Sequence, residues 1–372
     1  MIFRISRSCF SSISVKLPPF KVHHLELDQL PQTATTTSSE LLAYYKSMQL
    51  QRRMEIACDN LYKQRLIRGF LHLADGQESI YEGLHAGLTF DDCVITAYRD
   101  HCIALLRGDT PHQIIAEMMA KQTGSTKGKG GSMHYYKKAT NFYGGHGIVG
   151  AQIPLGTGLA FAQKYLKKPN VTLIMFGDGA ANQGQLYEAA NMAQLWHLPA
   201  IYFIENNLFG MGTSIDRASA NTKFYTRGDV IPGIQIDGNN VFQVRETLKF
   251  AKKHCLEKGP IFIEAMTYRY HGHSMSDPGV TYRTREEVQQ QRKTRDCINY
   301  VKNIILENKV ADEPQLEEID NSTQNEIDIA VEQAKVDPVP PSTELTTDVY
   351  VDNENHFIRG ILYKDSIVPK SQ

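Results

Sequence analysis

An aspartate set between two glycines, Gly177-Asp178-Gly179, closes an apolar run over residues 171–176. The residues after it, Ala180-Ala-Asn-Gln-Gly184, read as the opening of a helix. In a parallel sheet the carboxyl ends of the strands are where ligands bind, and a helix amino terminus favours an anion. Asp178 would repel a phosphate there unless a cation stood between them. The pattern therefore points to a magnesium-bridged di- or triphosphate, the ion taking few of its roughly six oxygens from protein. A second apolar run over 200–205 ends in Asn206-Asn207. If the two runs are neighbouring parallel strands, Asp178 and Asn207 stand side by side, a carboxylate and an amide oxygen suited to magnesium. A strand-end turn followed by an asparagine turn also fits these residues, and Gly-Asp-Gly alone does not separate the two readings.

Other motifs carry less. Gly145-His-Gly147-Ile-Val-Gly150 has the spacing of a dinucleotide-binding turn. That fingerprint needs a strand before it and an acid about 20 residues on. We expect no strand there, and no Asp or Glu lies between residue 151 and Asp178, so dinucleotide binding is rejected. The Gly- and Lys-rich run from Gly124 lacks the Gly-Lys-Ser/Thr of a phosphate loop. His271-Gly-His273 has no adjoining Cys or acid and reads as loop histidines rather than a zinc site. The six cysteines include no CxxC pair and read as free thiols of a reducing compartment.

These residues need a frame. Helical patterns cover residues 40–67, 76–88, 154–166, 182–195 and 241–254, and strand-like runs cover 93–98, 171–176, 200–205, 233–236 and 260–266. Alternating strands and helices predict an α/β fold with a mostly parallel sheet and helices on both faces. Residues 31–39 read as a loop and 271–283 as a polar loop. Thr284-Arg-Glu-Glu287 has capping-box spacing and opens a helix expected to reach about residue 307; Thr323-Gln-Asn-Glu326 repeats it for a helix to about 335. Prolines 338, 340 and 341 then break helicity, and a mixed tail follows.

Lys plus Arg is 40 against 41 for Asp plus Glu, which gives no support to a nucleic-acid or anionic-membrane surface. No apolar run reaches the roughly 18–20 residues of a membrane span. The first 25 residues contain no acid and mix Arg4, Arg7, Lys16 and Lys21 with serines. That is the composition of a mitochondrial leader, expected over residues 1–20. Residues 21–372 are expected to form one domain, with a loop over 268–285 and a helical C-terminal segment.

Longer motifs carry a resemblance. Gly177-Asp-Gly-Ala-Ala-Asn-Gln-Gly-Gln185, Glu205-Asn-Asn207, Gly210-Met-Gly-Thr-Ser214 and Tyr268-Arg-Tyr-His-Gly-His-Ser-Met-Ser-Asp-Pro-Gly279 are similar to the alpha-subunit family of mitochondrial pyruvate dehydrogenases. So are Arg68-Gly-Phe70, Asp75-Gly-Gln-Glu78, Thr96-Ala-Tyr-Arg99 and Lys127-Gly-Lys-Gly-Gly-Ser-Met-His134. The resemblance runs from about Phe20 onward. It implies the diphosphate-binding half of a thiamine diphosphate-binding fold, a place in the mitochondrial matrix, and magnesium held by Asp178, Asn207 and the carbonyl of Phe209. It implies cofactor contacts from Tyr98, Arg99, Gly147, Val149, Gly179, Ala180 and His273. His72 and His273 would line the reaction chamber, where pyruvate is decarboxylated and its acetyl group passed to a lipoyl group.

The resemblance also implies partners: a beta subunit in an α2β2 heterotetramer, the lipoyl domain of dihydrolipoyl acetyltransferase, and a kinase and phosphatase acting at Ser274, Ser214 and Thr281. Thr281 stands where the family usually has serine. Other departures are His146 for Asn, Asp100 and Cys102 for small residues, Leu208-Phe209 for Arg-Tyr, and a slightly longer stretch over 137–140. An acid beside Arg99 would weaken diphosphate binding if it pointed inward. Two alternatives stay open at this point: the same chemistry on branched 2-oxo acids or acetoin, and a catalytically weak relative that mainly binds the beta subunit or kinase.

Overall fold

The computed structural model describes residues 12–349. Its first strands, β1 Ile13–Lys16, β2 Lys21–His23 and β3 Thr33–Thr36, lead into helix α1, Ser38–Lys63. The Thr37 hydroxyl starts α1 by accepting the amide of Glu40. β1 pairs antiparallel with β3, and Val15, Leu17 and Phe20 are buried in the core. One expectation changes here: residues 33–36 are a strand rather than loop. Of the expected leader, residues 12–20 are described and carry β1, while residues 1–11 lie outside the described residues, as do residues 350–372 of the tail.

Next come α2 Glu78–Gly87, β4 Cys93–Ala97, α3 His101–Leu106, α4 Pro111–Met118, β5 Phe142–His146, α5 Gln152–Tyr165, β6 Thr172–Gly177, α6 Gly184–Leu195 and β7 Ala200–Asn206. A two-residue hairpin pair, β8 Phe209–Gly210 and β9 Thr213–Ser214, precedes α7 Ile215–Ala218, β10 Gly233–Asp237, α8 Val241–Lys258 and β11 Ile261–Met266. β5 runs straight into Gly145-His-Gly147, so a strand does precede that motif. Its glycines conceal it from a reading based on apolar runs.

The main sheet has seven strands in the order β2-β10-β11-β7-β6-β4-β5. All neighbours are parallel except β2, which lies antiparallel on β10. From β4 the chain steps to β5 on one side and to β6 on the other, so the order reverses at β4. Side chains alternate between two cores, as strand geometry requires. Leu173, Met175, Ile201 and Phe203 join one cluster with α1, α2 and α8; Ile174, Phe176, Tyr202 and Ile204 join the other with α5 and α6. Helices on both faces are as expected for a parallel sheet buried on both sides.

The C-terminal helices differ from the sequence expectation. The stretch after Thr284 is two helices, α9 Arg285–Arg295 and α10 Cys297–Glu307. They part at Asp296, whose carboxylate accepts the amides of Ile298 and Asn299 at 3.0 Å and pairs with Arg52 at 2.9 Å. The next helix, α11 Glu313–Val336, starts at the capping box Asp312/Gln315 with a proline in its first turn. Thr323 is buried mid-helix with its hydroxyl turned back to the Ile319 carbonyl, so its capping-box spacing marks no start.

The described cysteines, Cys58, Cys93, Cys102, Cys255 and Cys297, are all free and buried; Cys9 lies outside the described residues. Among the described residues no helix is long and apolar enough to cross a membrane.

Candidate functional site

The carboxyl ends of β4, β6 and β7 meet beside the point where the strand order reverses. A cavity of about 280 Å³ opens there, lined by Tyr98, Arg99, Asp178, Asn207, Phe209 and His273 among others. Val149, Gly179 and Ala180 also line it. Two expected residues stand behind the wall. His72 lies under Tyr98, ring centres 4.3 Å apart, and 5.1 Å from the His273 ring. Gly147 sits beside the side chains of His134 and Met133.

Strand register explains the central pair. Gly177 is opposite Glu205 across β6 and β7, which brings Asp178 level with the two asparagines. The asparagines then divide the work. Asn206 donates to Glu264 at 2.7 Å and accepts the Leu208 amide at 3.1 Å, whereas Asn207 lines the cavity. Leu208 and Met211 both adopt left-handed backbone, with φ of 74° and 58°. Such strain in non-glycine residues collects at functional loops; here it brackets Phe209, whose carbonyl shares the Arg269 guanidinium with Asn207. Gly179 and Gly210 nearly touch: a Cβ on Gly179 would come 3.3 Å from the Gly210 Cα.

Arg269 organises this corner. It is buried, and its guanidinium donates to Asn207 Oδ1 at 3.0 Å, Phe209 O at 3.3 Å and Met211 O at 3.1 Å. Three oxygens are thus turned toward one positive group. Burial and the nearby Arg99 pull the Arg269 pKa down to about 10. Asp178, 3% exposed, is pushed up to about 6 by burial. A buried carboxyl raised by burial in this way suits a divalent cation, which would favour its ionised form. Among the described residues no three His, Cys, Asp or Glu side chains are grouped to hold a metal, so an ion here would take mixed carboxylate, amide and carbonyl oxygens.

Arg99 ties the two histidine segments together. Its guanidinium donates to the Leu73 carbonyl and, at 3.0 Å, to the His273 carbonyl. Burial, helped by Arg99, drives His72 down to about 2 and His273 to about 3. Both rings are therefore neutral at any working pH and able to donate or accept a hydrogen bond without carrying charge. The Nδ1 of His72 is buried with no partner.

The three expected modification residues occupy different settings. Ser274 is buried and its Oγ lies 2.9 Å from Ser276 Oγ; Ser214 is half-buried at the end of β9; Thr281 is exposed. The loop that holds Ser274 and Thr281 is braced by Arg283, which donates to the carbonyls of Arg269 and His271 at 2.7 and 2.6 Å. Of the departures only Phe209 lines the cavity. Asp100 and Cys102 are buried away from it, and Leu208 lends only its backbone turn. Sequence reasoning missed Gln77, Glu205 and Arg269. Burial pushes Glu205 up to about 7, and its Oε1 accepts from Gln77 at 3.0 Å. Glu205 closes an apolar run, the same signal that singled out Asp178, whereas Arg269 lies beyond the end of β11.

The family model described as dehydrogenase E1 component matches residues 46–343. Pyruvate dehydrogenase E1 component subunit alpha-1, mitochondrial, of Arabidopsis thaliana is 54% identical over 333 residues, covering 90% of this chain and 85% of that protein. The mitochondrial subunit alpha of Dictyostelium discoideum is 53% identical over 91% of this chain and 89% of its own. A protein named probable mitochondrial subunit alpha in Caenorhabditis elegans is 50% identical, over 97% and 91%.

Proposed function

The chain belongs to the dehydrogenase E1 component family, and from that premise we propose that it serves as the alpha subunit of a mitochondrial pyruvate dehydrogenase, an oxidoreductase working with a beta subunit. The observation that carries this reading is the meeting of Asp178, Asn207 and the Phe209 carbonyl with Tyr98 and Arg99 around one cavity at the sheet's carboxyl edge. Relatives named as mitochondrial pyruvate dehydrogenase alpha subunits, one of them as probable, at 50–54% identity over nearly the whole chain support pyruvate as substrate and the mitochondrion as site.

The residues fit thiamine diphosphate held through magnesium. Asp178, Asn207 Oδ1 and Phe209 O are the hard oxygens for the ion. Gly179 would leave room for a diphosphate close to the backbone, and Tyr98 and Arg99, which line the cavity, would hold its oxygens. Bound thiamine diphosphate supplies the electron sink for decarboxylating a 2-oxo acid. Neutral His273 at the cavity wall donates or accepts at an oxygen developing charge, with His72 behind Tyr98 fixing its orientation through ring contact. The remaining proposals follow the resemblance: an α2β2 heterotetramer, acetyl transfer to the lipoyl domain of dihydrolipoyl acetyltransferase, and phosphorylation at Ser274. A phosphate there adds about -1.5 to -2 charges beside His273. Because Ser274 is buried, its loop must open before a kinase reaches it.

The test is co-expression with a matching beta subunit and measurement of pyruvate-dependent lipoyl acetylation with and without thiamine diphosphate and magnesium. Turnover that needs both and is lost in Asp178→Ala supports the reading. A well-formed heterotetramer that binds no cofactor and turns nothing over refutes it.

A further inference from the structure

Asp100 is fully buried, and neither of its carboxyl oxygens has a hydrogen-bond partner. It follows Tyr98 and Arg99 and occupies the cap position of α3, yet makes no cap bond. Its side chain turns inward onto Gly145 of β5. A Cβ on Gly145 would overlap both Asp100 Oδ2 and the carbonyl oxygen of Met133. Two oxygens that ordinarily only accept thus border the same small space.

The surrounding side chains are already engaged elsewhere. The ring nitrogens of His101 lie 3.0 Å from Glu55 of α1 and 2.9 Å from the Ser132 carbonyl. Burial pushes His101 down, but Glu55 holds it above its ordinary value, so its charge is already matched. The phenols of Tyr135 and Tyr136 donate to the Ile114 and Gly145 carbonyls. An ionised carboxylate in this place would be buried with only the Tyr135 amide and the already matched His101 to offset its lost hydration. A carboxylic acid has an O–H to give. Burial raises Asp100 well above the carboxylate range, while His101 and the Tyr135 amide pull the other way and lose.

The place matters because β4 and β5 are loosely registered: their pairing shifts between Val94 and Thr96. The ladder alone does not fix how far Tyr98-Arg99 stands from the loop after β5. Gly145 is a junction between them, its carbonyl accepting from His134 Nδ1 at 3.0 Å and Tyr136 Oη at 3.3 Å.

We propose that Asp100 is a positioning residue, a protonated carboxylic acid donating to the Met133 carbonyl, that sets the gap between Tyr98-Arg99 and the loop from Gly145 to Val149. This rests on the reading of those segments as cofactor contacts.

The experiment uses the heterotetramer with its beta subunit. An infrared difference spectrum, wild type minus Asp100→Asn at neutral pH, is expected to show the carbonyl stretch of a protonated carboxyl group. A carboxylate signature in its place overturns the proposal. Asn keeps a donor toward Met133, so D100N is expected to hold thiamine diphosphate within about threefold of wild type, while D100A loses about tenfold or more. If D100A fails to assemble, the infrared band and the D100N affinity still decide. If D100A binds as wild type while Asp178→Ala does not, the positioning role fails alone. If neither substitution changes binding, the cofactor reading itself fails.

Discussion

Replacing Arg269 by lysine tests how the metal corner is built. The guanidinium reaches three acceptors, at 3.0, 3.3 and 3.1 Å, on Asn207, Phe209 and Met211. A lysine ammonium keeps the charge, but its single nitrogen reaches one of them. Two hydrogen bonds from a charged donor are lost, worth about 1.5–3 kcal/mol each when buried. One is long, and Phe209 and Met211 are open enough for water to replace part of the loss. About 1.5–3 kcal/mol remains as the cost of ordering the Asn207 and Phe209 oxygens for an ion. That corresponds to a rise of about 10- to 100-fold in the magnesium concentration for half-saturation. The assay is calorimetric titration of the Arg269→Lys heterotetramer with magnesium at fixed thiamine diphosphate, with assembly checked by size-exclusion chromatography. An intact tetramer whose magnesium midpoint stays within about threefold of wild type would refute the reasoning, since the shift expected is at least tenfold.

Three further outcomes are expected. Gly156 and Gly158 lie in the same helix, but a Cβ on Gly156 would come 2.6 Å from Ile174 Cγ1 and 2.8 Å from Ile95 Cγ2, while Gly158 faces open space. Helix propensity favours Ala by about 1 kcal/mol at both, and overpacking costs about 1–3 kcal/mol at the first; urea melts should show Gly156→Ala destabilised and Gly158→Ala stabilised. Glu117 accepts the amides of Thr126 and Gly128 at 2.8 Å and of Gly130 at 2.6 Å. A Gln there loses about 2–4 kcal/mol of loop support, and trypsin should cut at Lys127 and Lys129 faster than in wild type. His72 protonates at about 6.5 when unfolded and only near 2 when folded. Stability must therefore fall as pH drops below 6.5, by about 1.4 kcal/mol per unit from this group; a His72→Gln variant with an undiminished slope would contradict the burial argument.

Much of the frame was legible because it rests on short-range pattern. The runs at 171–176 and 200–205 are apolar throughout, as strands covered on both faces must be, and the polar residues that end them lie at the cavity. What escaped notice was decided at long range. Nothing near Asp296 says that a helix stops there; its carboxylate is claimed by Arg52, far earlier in the chain, and by the amides of α10. Thr323-Gln-Asn-Glu326 has the right spacing for a start, but Asp312 and Gln315 had already opened the helix. Residues 31–39 look like loop because their partner strand lies in a segment with leader-like composition. Arg269 was noticed only as part of a longer motif, since no local rule shows that an arginine will meet two carbonyls some sixty residues earlier.

The antiparallel edge strand β2 has a consequence for the order of events during folding. Val22 pairs with Ile234, His23 Nε2 lies 2.7 Å from the Asp229 carbonyl, and Gln243 donates to the Pro18 carbonyl at 2.9 Å. Every one of these partners is more than two hundred residues downstream. Closing so long a loop is slow, and its reward comes only when the distant half has formed. Residues 18–23 therefore wait unpaired through synthesis and dock near the end. In a chain delivered amino end first into a mitochondrion, residues that arrive early are among the last to settle.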